Sequence, residues 1–111
     1  MTNQPIQTID VHELKRLLDH HAKLCLIDVR TSEEWQEVHI PHAIHLPKDE
    51  LINSIATHVP DLEQPIYLHC KAGIRSLDAA QKLQEMGYKH VYSVNGGIID
   101  WIQHNYPTIQ Q

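Results

Sequence analysis

Short apolar runs alternate with stretches of helical spacing along this chain, and that alternation limits its fold more than any other feature. Leu24 to Val29 (LCLIDV) is a continuous apolar run with an aspartate near its end, which is how a buried parallel strand reads. Ile6–Ile9, Ile66–His69 and Val91–Val94 are further strand candidates. Between them Asp10, with Glu13 three residues on as box partner, caps a helix over Val11–His20, where Val11, Leu14, Leu17 and Leu18 recur at helical spacing. Thr31, with Glu34 as its partner, caps a short helix over Ser32–Glu37 that carries Trp35. His39–Pro47 (HIPHAIHLP) holds two prolines and is expected to be mostly extended. Helices are expected over Asp49–Thr57 and over Arg75–Met86, the latter ending at Gly87 as a left-handed cap. Gly96-Gly97 turns into a last helix bearing Trp101. About five strands separated by helices or a long crossover imply an α/β fold: a parallel sheet with helices on both faces.

The 111 residues fit one domain, spanning 1–111. Nine basic and 14 acidic residues give a net charge of −5 with no basic block, which argues against nucleic acid or an anionic membrane surface as partner. The N-terminal stretch MTNQPIQTIDVHELKRLL does not read as a signal peptide, and no apolar run approaches a membrane span. Cys25 and Cys70 form neither a zinc pattern nor a disulfide framework, so a reducing, cytoplasmic setting is expected.

The chemistry-bearing stretch is PIYLHCKAGIRS, Pro65 to Ser76. Cys70 stands at the carboxyl end of a strand, where open α/β sheets place their ligand sites. Lys71, Ala72, Gly73, Ile74, Arg75 and Ser76 follow and run into a helix. A helix N-terminus favours an anion, and Gly73 lets a tight loop turn several N–H groups inward. Lys71 and Arg75 add positive charge, with no acidic residue before Asp78. These features lower a thiol pKa from about 8.5 and make Cys70 a nucleophile. Loops of Cys-x5-Arg spacing enclose a phosphate; Cys-x4-Arg is one residue shorter, and its smaller ring suits a single sulfur atom better than a tetrahedral oxyanion.

At these residues the chain resembles the rhodanese domain, the family of sulfurtransferases. Cys70-Lys71-Ala72-Gly73-Ile74-Arg75-Ser76 is similar to that family's CxxGxRS active loop. Leu26-Ile27-Asp28-Val29-Arg30 with Glu34-Trp35 and His39-Ile40-Pro41 is similar to its first signature, and Val94-Asn95-Gly96-Gly97-Ile98 with Trp101 and Tyr106-Pro107 to its last. Val38 and His42 stand where the family usually has glycine, and Val38 resists positive φ, so Glu37–Ala43 is expected to depart from the family's path. The resemblance implies a two-step transfer with no cofactor. The Cys70 thiolate takes the outer sulfur of thiosulfate or a similar donor, and a thiol, cyanide or protein acceptor then removes it from the persulfide. Lys71 and Arg75 would attract the anionic donor, with Arg75 also fixing the loop. Asp28 and Arg30 would brace the loop from behind, or simply form an ion pair or serve as turn residues.

Other residues read as structural. Cys25 lies within a core strand, and His69 points to the face opposite Cys70. Ser76 either caps its helix or touches the sulfur. Trp35 and Trp101 read as core anchors. His39, His42 and His45 have H-x2-H-x2-H spacing, but an extended, proline-bearing segment need not converge them, so no metal site is expected. Three other functions share these motifs: a phosphatase or arsenate reductase, a non-catalytic rhodanese-like binding module, and a protein-to-protein sulfur relay in tRNA or cofactor thiolation. Loop length argues against the first, and the presence of Cys70 against the second.

Overall fold

The computed structural model describes residues 5–21 and 23–110. The outermost residues of the 1–111 domain, and the start of the N-terminal stretch, lie outside the described residues. Among the described residues seven strands and five helices follow in chain order: β1 (Gln7–Ile9), α1 (Val11–His20), β2 (Leu26–Asp28), α2 (Ser32–Glu37), β3 (Val38–His39), β4 (Ile44–His45), α3 (Lys48–His58), β5 (Ile66–His69), α4 (Ile74–Glu85), β6 (Val91–Val94), α5 (Gly97–Gln103) and β7 (Ile109–Gln110). Five strands form one sheet in the order β1-β6-β5-β2-β4, every pair parallel. β5 is therefore central, and its carboxyl end opens between those of β2 and β6.

Side-chain alternation along the strands divides the core in two. Leu26, Tyr67 and Val94 face one way and pack with Val11 and Leu14 of α1 and Ile98 and Trp101 of α5. Ile27, Leu68 and Cys70 face the other way and pack with Leu51 and Ile55 of α3 and Ala79, Ala80 and Leu83 of α4. Each fully buried leucine or isoleucine in these layers contributes roughly 1.5–3 kcal/mol relative to an exposed one. Among the described residues no helix is long and apolar enough to cross a membrane.

α1 and α2 start where the sequence placed them, while α3 and α4 each start one residue earlier than expected, at Lys48 and Ile74. Asp10 accepts a hydrogen bond from the Glu13 N–H at 2.9 Å, but the Glu13 carboxylate pairs with Arg16 rather than completing a box. At α2 the box is complete: the Glu34 N–H donates to Thr31 Oγ1, and Thr31 N–H donates back to Glu34 Oε1 at 3.0 Å. The segment read as extended contains both β4, the fifth strand of the sheet, and His39 of β3, which pairs antiparallel with β7. Val38 needs no left-handed backbone, since its φ of −161° is extended, whereas His42 takes φ 71°. Trp101 is buried as expected, with Nε1 donating to the Pro107 carbonyl at 2.7 Å. Trp35 is not a core anchor. The helix that carries it has no buried residue, and its indole is half-buried beneath two stacked imidazoles, His39 at 3.7 Å and His45 at 4.9 Å between ring centroids.

Candidate active site

Cys70 follows the last residue of β5, and the chain turns back at once so that α4 starts at Ile74. Gly73 makes that turn possible with φ +110°, a conformation a side chain would resist. The turn points donors at the sulfur. Gly73 N–H reaches Cys70 Sγ at 3.1 Å and Ser76 N–H at 3.3 Å, and Ser76 Oγ lies 3.5 Å away. Ser76 thus faces the sulfur with both its amide and its hydroxyl.

The loop carbonyls are held away from the sulfur by the last helix. Ile98 N–H donates to the Cys70 carbonyl at 3.0 Å and Ile99 N–H to the Lys71 carbonyl at 3.1 Å. This approach requires Gly97: a β-carbon there would lie 2.5 Å from the Cys70 carbonyl oxygen and closer still to that of Lys71. Two peptide planes are thereby fixed with their oxygens outward, which leaves the inner side of the loop to N–H groups.

Cys70 is 1% exposed. Burial alone pushes its thiol pKa up, but hydrogen bonds from the Ser76 side chain and from the amides of Ser76, Gly73 and Ala72 outweigh it, and the pKa falls below the ordinary thiol value. Cys25 has burial without such donors, so its pKa rises. Both are free thiols.

Arg75 turns away from the sulfur mouth and forks onto Glu34 of α2, with Nη1–Oε1 at 2.7 Å and Nη2–Oε2 at 2.9 Å. The guanidinium holds the Glu34 carboxyl down at about 2, with help from Thr31. Glu34 therefore caps α2 and clamps the Cys70 loop with one carboxylate. Lys71 is exposed and makes no ion pair among the described residues. Ala72 and Ile74 are also exposed, Ile74 by 81%.

Asp28 and Arg30 form a buried ion pair beside the loop, with Arg30 Nε and Nη2 both on the carboxylate at 2.8–3.0 Å. Arg30 Nη2 also donates to the Val38 carbonyl at 2.6 Å, which ties β2 to the segment after α2. His69 is fully buried on the other side of the strand; its Nδ1 donates to the Cys70 carbonyl at 3.2 Å, and Nε2 lies 3.4 Å from Asp28 without hydrogen-bond geometry. Burial lowers the His69 pKa, so a neutral imidazole backs the loop. Asp28 thus stands behind His69, which bonds the loop, and Arg30 is tied to Asp28 and to the Val38 carbonyl rather than to the Cys70 sulfur. His39, His42 and His45 do not converge: two stack on Trp35 and His42 is exposed. Among the described residues no three His, Cys, Asp or Glu side chains gather as metal ligands would.

Sequence reading left three contributors out of the site. Glu34 was visible only as a cap, although its place beside Trp35 in the first motif was a signal. Ser93 of β6, whose Oγ lies 2.8 Å from Ser76 Oγ, was marked only by being polar within an apolar strand. Gly97 and Ile98 were visible only as part of the last motif, and the support they and Ile99 give the loop is a long-range contact that the motif does not announce.

The Rhodanese-like domain family model matches residues 10–104, and the chain belongs to that family. It is 34% identical over 108 residues to a protein of Coxiella burnetii named thiosulfate sulfurtransferase GlpE, covering 97% of this chain and 94% of that protein. It is 38% identical over 104 residues to a probable adenylyltransferase/sulfurtransferase, MoeZ, of Mycobacterium tuberculosis, covering 92% of this chain but only 26% of that protein. Among solved structures, the rhodanese-like domain of the Anabaena Alr3790 protein superposes with a TM-score of 0.84 at 25% identity, covering 97% of this chain and 80% of that one.

Proposed function

We propose that this chain is a sulfurtransferase that carries a sulfane sulfur as a persulfide on Cys70, with thiosulfate or a similar anion as donor. The observation that supports this most is the cradle itself: one thiol whose pKa is lowered although it is buried, facing three amides and a hydroxyl. Family membership and sulfurtransferase-named relatives support sulfur transfer in general. In the first step the Cys70 thiolate attacks the outer sulfur of thiosulfate. The Sγ–S bond forms, the S–S bond to the sulfonate breaks, and sulfite leaves with the electron pair. Lys71 supplies the free positive charge near the mouth, while Arg75 keeps the loop closed on Glu34. In the second step cyanide or a thiolate attacks the outer sulfur, and the Cys70 thiolate departs unchanged. No external oxidant is needed: with a thiolate acceptor one S–S bond replaces another, and with cyanide the S–S bond is exchanged for the C–S bond of thiocyanate, the electron pair returning to Cys70 Sγ. Two free thiols suit a reducing, cytoplasmic setting.

A second acceptor class, a protein thiol, is favoured by the 81% exposure of Ile74 on the rim of the loop. The same Cys70 persulfide would serve it.

The test is intact mass after incubation with thiosulfate. Wild type should gain one sulfur atom, cyanide should remove it, and Cys70→Ser should gain none. A gain on Cys70→Ser would place the chemistry elsewhere. No gain on wild type from thiosulfate or from any other sulfane donor would overturn the proposal.

A further inference from the structure

The hydrogen bonding behind Cys70 continues past the loop. Ser76 Oγ touches Cys70 Sγ at 3.5 Å on one side and Ser93 Oγ at 2.8 Å on the other. Ser93 lies on β6 opposite Leu68 of β5. Leu68 and Cys70 share a core face, so this register brings the Ser93 hydroxyl behind the nucleophile. Ser76 is 0% and Ser93 1% exposed, and Ser76 is the one hydrogen-bond partner that Ser93 Oγ has among the described residues.

Counting hydrogens along this row decides its direction. A thiol at Cys70 gives three hydrogens to three heteroatoms joined by two links. One hydrogen is then left without an acceptor, because the loop groups facing the sulfur are N–H donors. A thiolate leaves two hydrogens for two links. Ser93 O–H donates to Ser76 Oγ, Ser76 O–H donates to Sγ, and the row ends on the anion with nothing unpaired. A buried row that is complete only when its end is charged favours the charged end.

We propose that Ser93 is a positioning residue for the nucleophile: its hydroxyl, locked on Ser76, turns the Ser76 hydroxyl toward the Cys70 sulfur and holds it there as a donor. Ser93 does not touch the reacting atoms and acts only through Ser76. The inference rests on Cys70 being the working thiolate, as in the function proposed above, but its test does not need a sulfur donor.

The measurement is the rate of Cys70 alkylation by iodoacetamide against pH in the full chain. Variants are Ser93→Ala, Ser93→Thr, Ser76→Ala and the Ser76→Ala/Ser93→Ala double. Ser93→Ala should raise the midpoint by about half a pH unit, a roughly three-fold loss of thiolate below it. Ser93→Thr keeps the hydroxyl on a β-branched side chain suited to a strand, so it should restore the wild-type midpoint. The double variant should match Ser76→Ala alone, since Ser93 has no route to the sulfur without Ser76. An unchanged midpoint in Ser93→Ala, or a shift that adds in full to that of Ser76→Ala, would overturn the assignment. If Ser93→Ala does not fold, Ser93→Cys replaces it: a thiol donates weakly and should shift the midpoint the same way. A wild type that gains no sulfur yet shows these shifts would sink the transfer reaction and leave the positioning role standing.

Discussion

Glu34→Gln is the most informative single change in this molecule, because it removes a charge and little else. Glutamine keeps an oxygen that can still accept the Thr31 N–H, so the α2 cap survives. What goes is the ionic fork to Arg75. Holding a carboxyl at about 2 instead of 4.5 corresponds to about 3 kcal/mol without solvent. The two side chains are 29% and 33% exposed, and screening brings this to about 1–2 kcal/mol. Glu34→Gln should therefore lower Tm by about 5–10 °C at pH 7. The pH dependence has a definite sign. A carboxyl lowered by folding stabilises fully above its unfolded value of 4.5, and the gain is lost as pH falls from there through about 2. Urea unfolding of wild type and variant at pH 7, 4 and 3 should show a gap that is widest at pH 7 and shrinks below 4.5. A gap of equal size at pH 3 would mean the interaction is not ionic. No gap at pH 7 would mean the clamp adds nothing to stability.

Two further changes probe the backbone. Gly97→Ala drives a β-carbon into the carbonyls of Cys70 and Lys71 and should cost about 2–4 kcal/mol in urea unfolding, with loss of persulfide formation; a variant of wild-type stability and activity would show that α5 can move away freely. His42→Gly relieves a left-handed residue at φ 71° and, after the entropy cost of glycine, should stabilise by about 0.5 kcal/mol, raising Tm by about 2–4 °C; a fall in Tm would show that the His42 side chain makes a stabilising contact.

The parts of this protein that could be read from sequence are those whose cause is local. LCLIDV announces a buried strand because both of its faces are covered, and α1 shows its spacing because one face packs on the sheet. The Cys70 loop is contiguous, so its donors and its turn can be placed by counting. β4 and the β3–β7 pair were not separable, since two-residue strands carry no period. Trp35 was misjudged for a related reason: an indole suggests a core, but a six-residue helix on the rim has no core face to offer. Of the two positions where the family usually has glycine, only His42 takes the left-handed backbone that glycine eases; at Val38 the chain is simply extended. What stayed hidden in the site is what crosses the chain: Glu34 meets Arg75 from 41 residues away, and Ser93 meets Ser76 from 17.

Those long-range contacts decide what kind of electrostatics the site uses. From the sequence, Lys71 and Arg75 suggested a thiolate stabilised by cations. In the fold the Arg75 charge is matched by Glu34 and Lys71 faces solvent, so neither ammonium nor guanidinium hydrogen-bonds the sulfur among the described residues. The work of offsetting burial falls to neutral donors: the amides of Ala72, Gly73 and Ser76 and one hydroxyl. For the transfer proposed above, which moves negative charge from Sγ to the outer atom of a persulfide, this is the better arrangement. A cation pinned to Sγ would hold the charge where it began and oppose its transfer, whereas a ring of fixed dipoles can stabilise it at either atom without rearranging. The fold makes such a ring affordable to build, because the carbonyls that would oppose it are already bonded to the start of α5. Gly73 and Gly97, each at a positive φ, are thus the two backbone positions on which the geometry around the Cys70 sulfur rests, one turning the donors in and the other letting a helix hold the acceptors out.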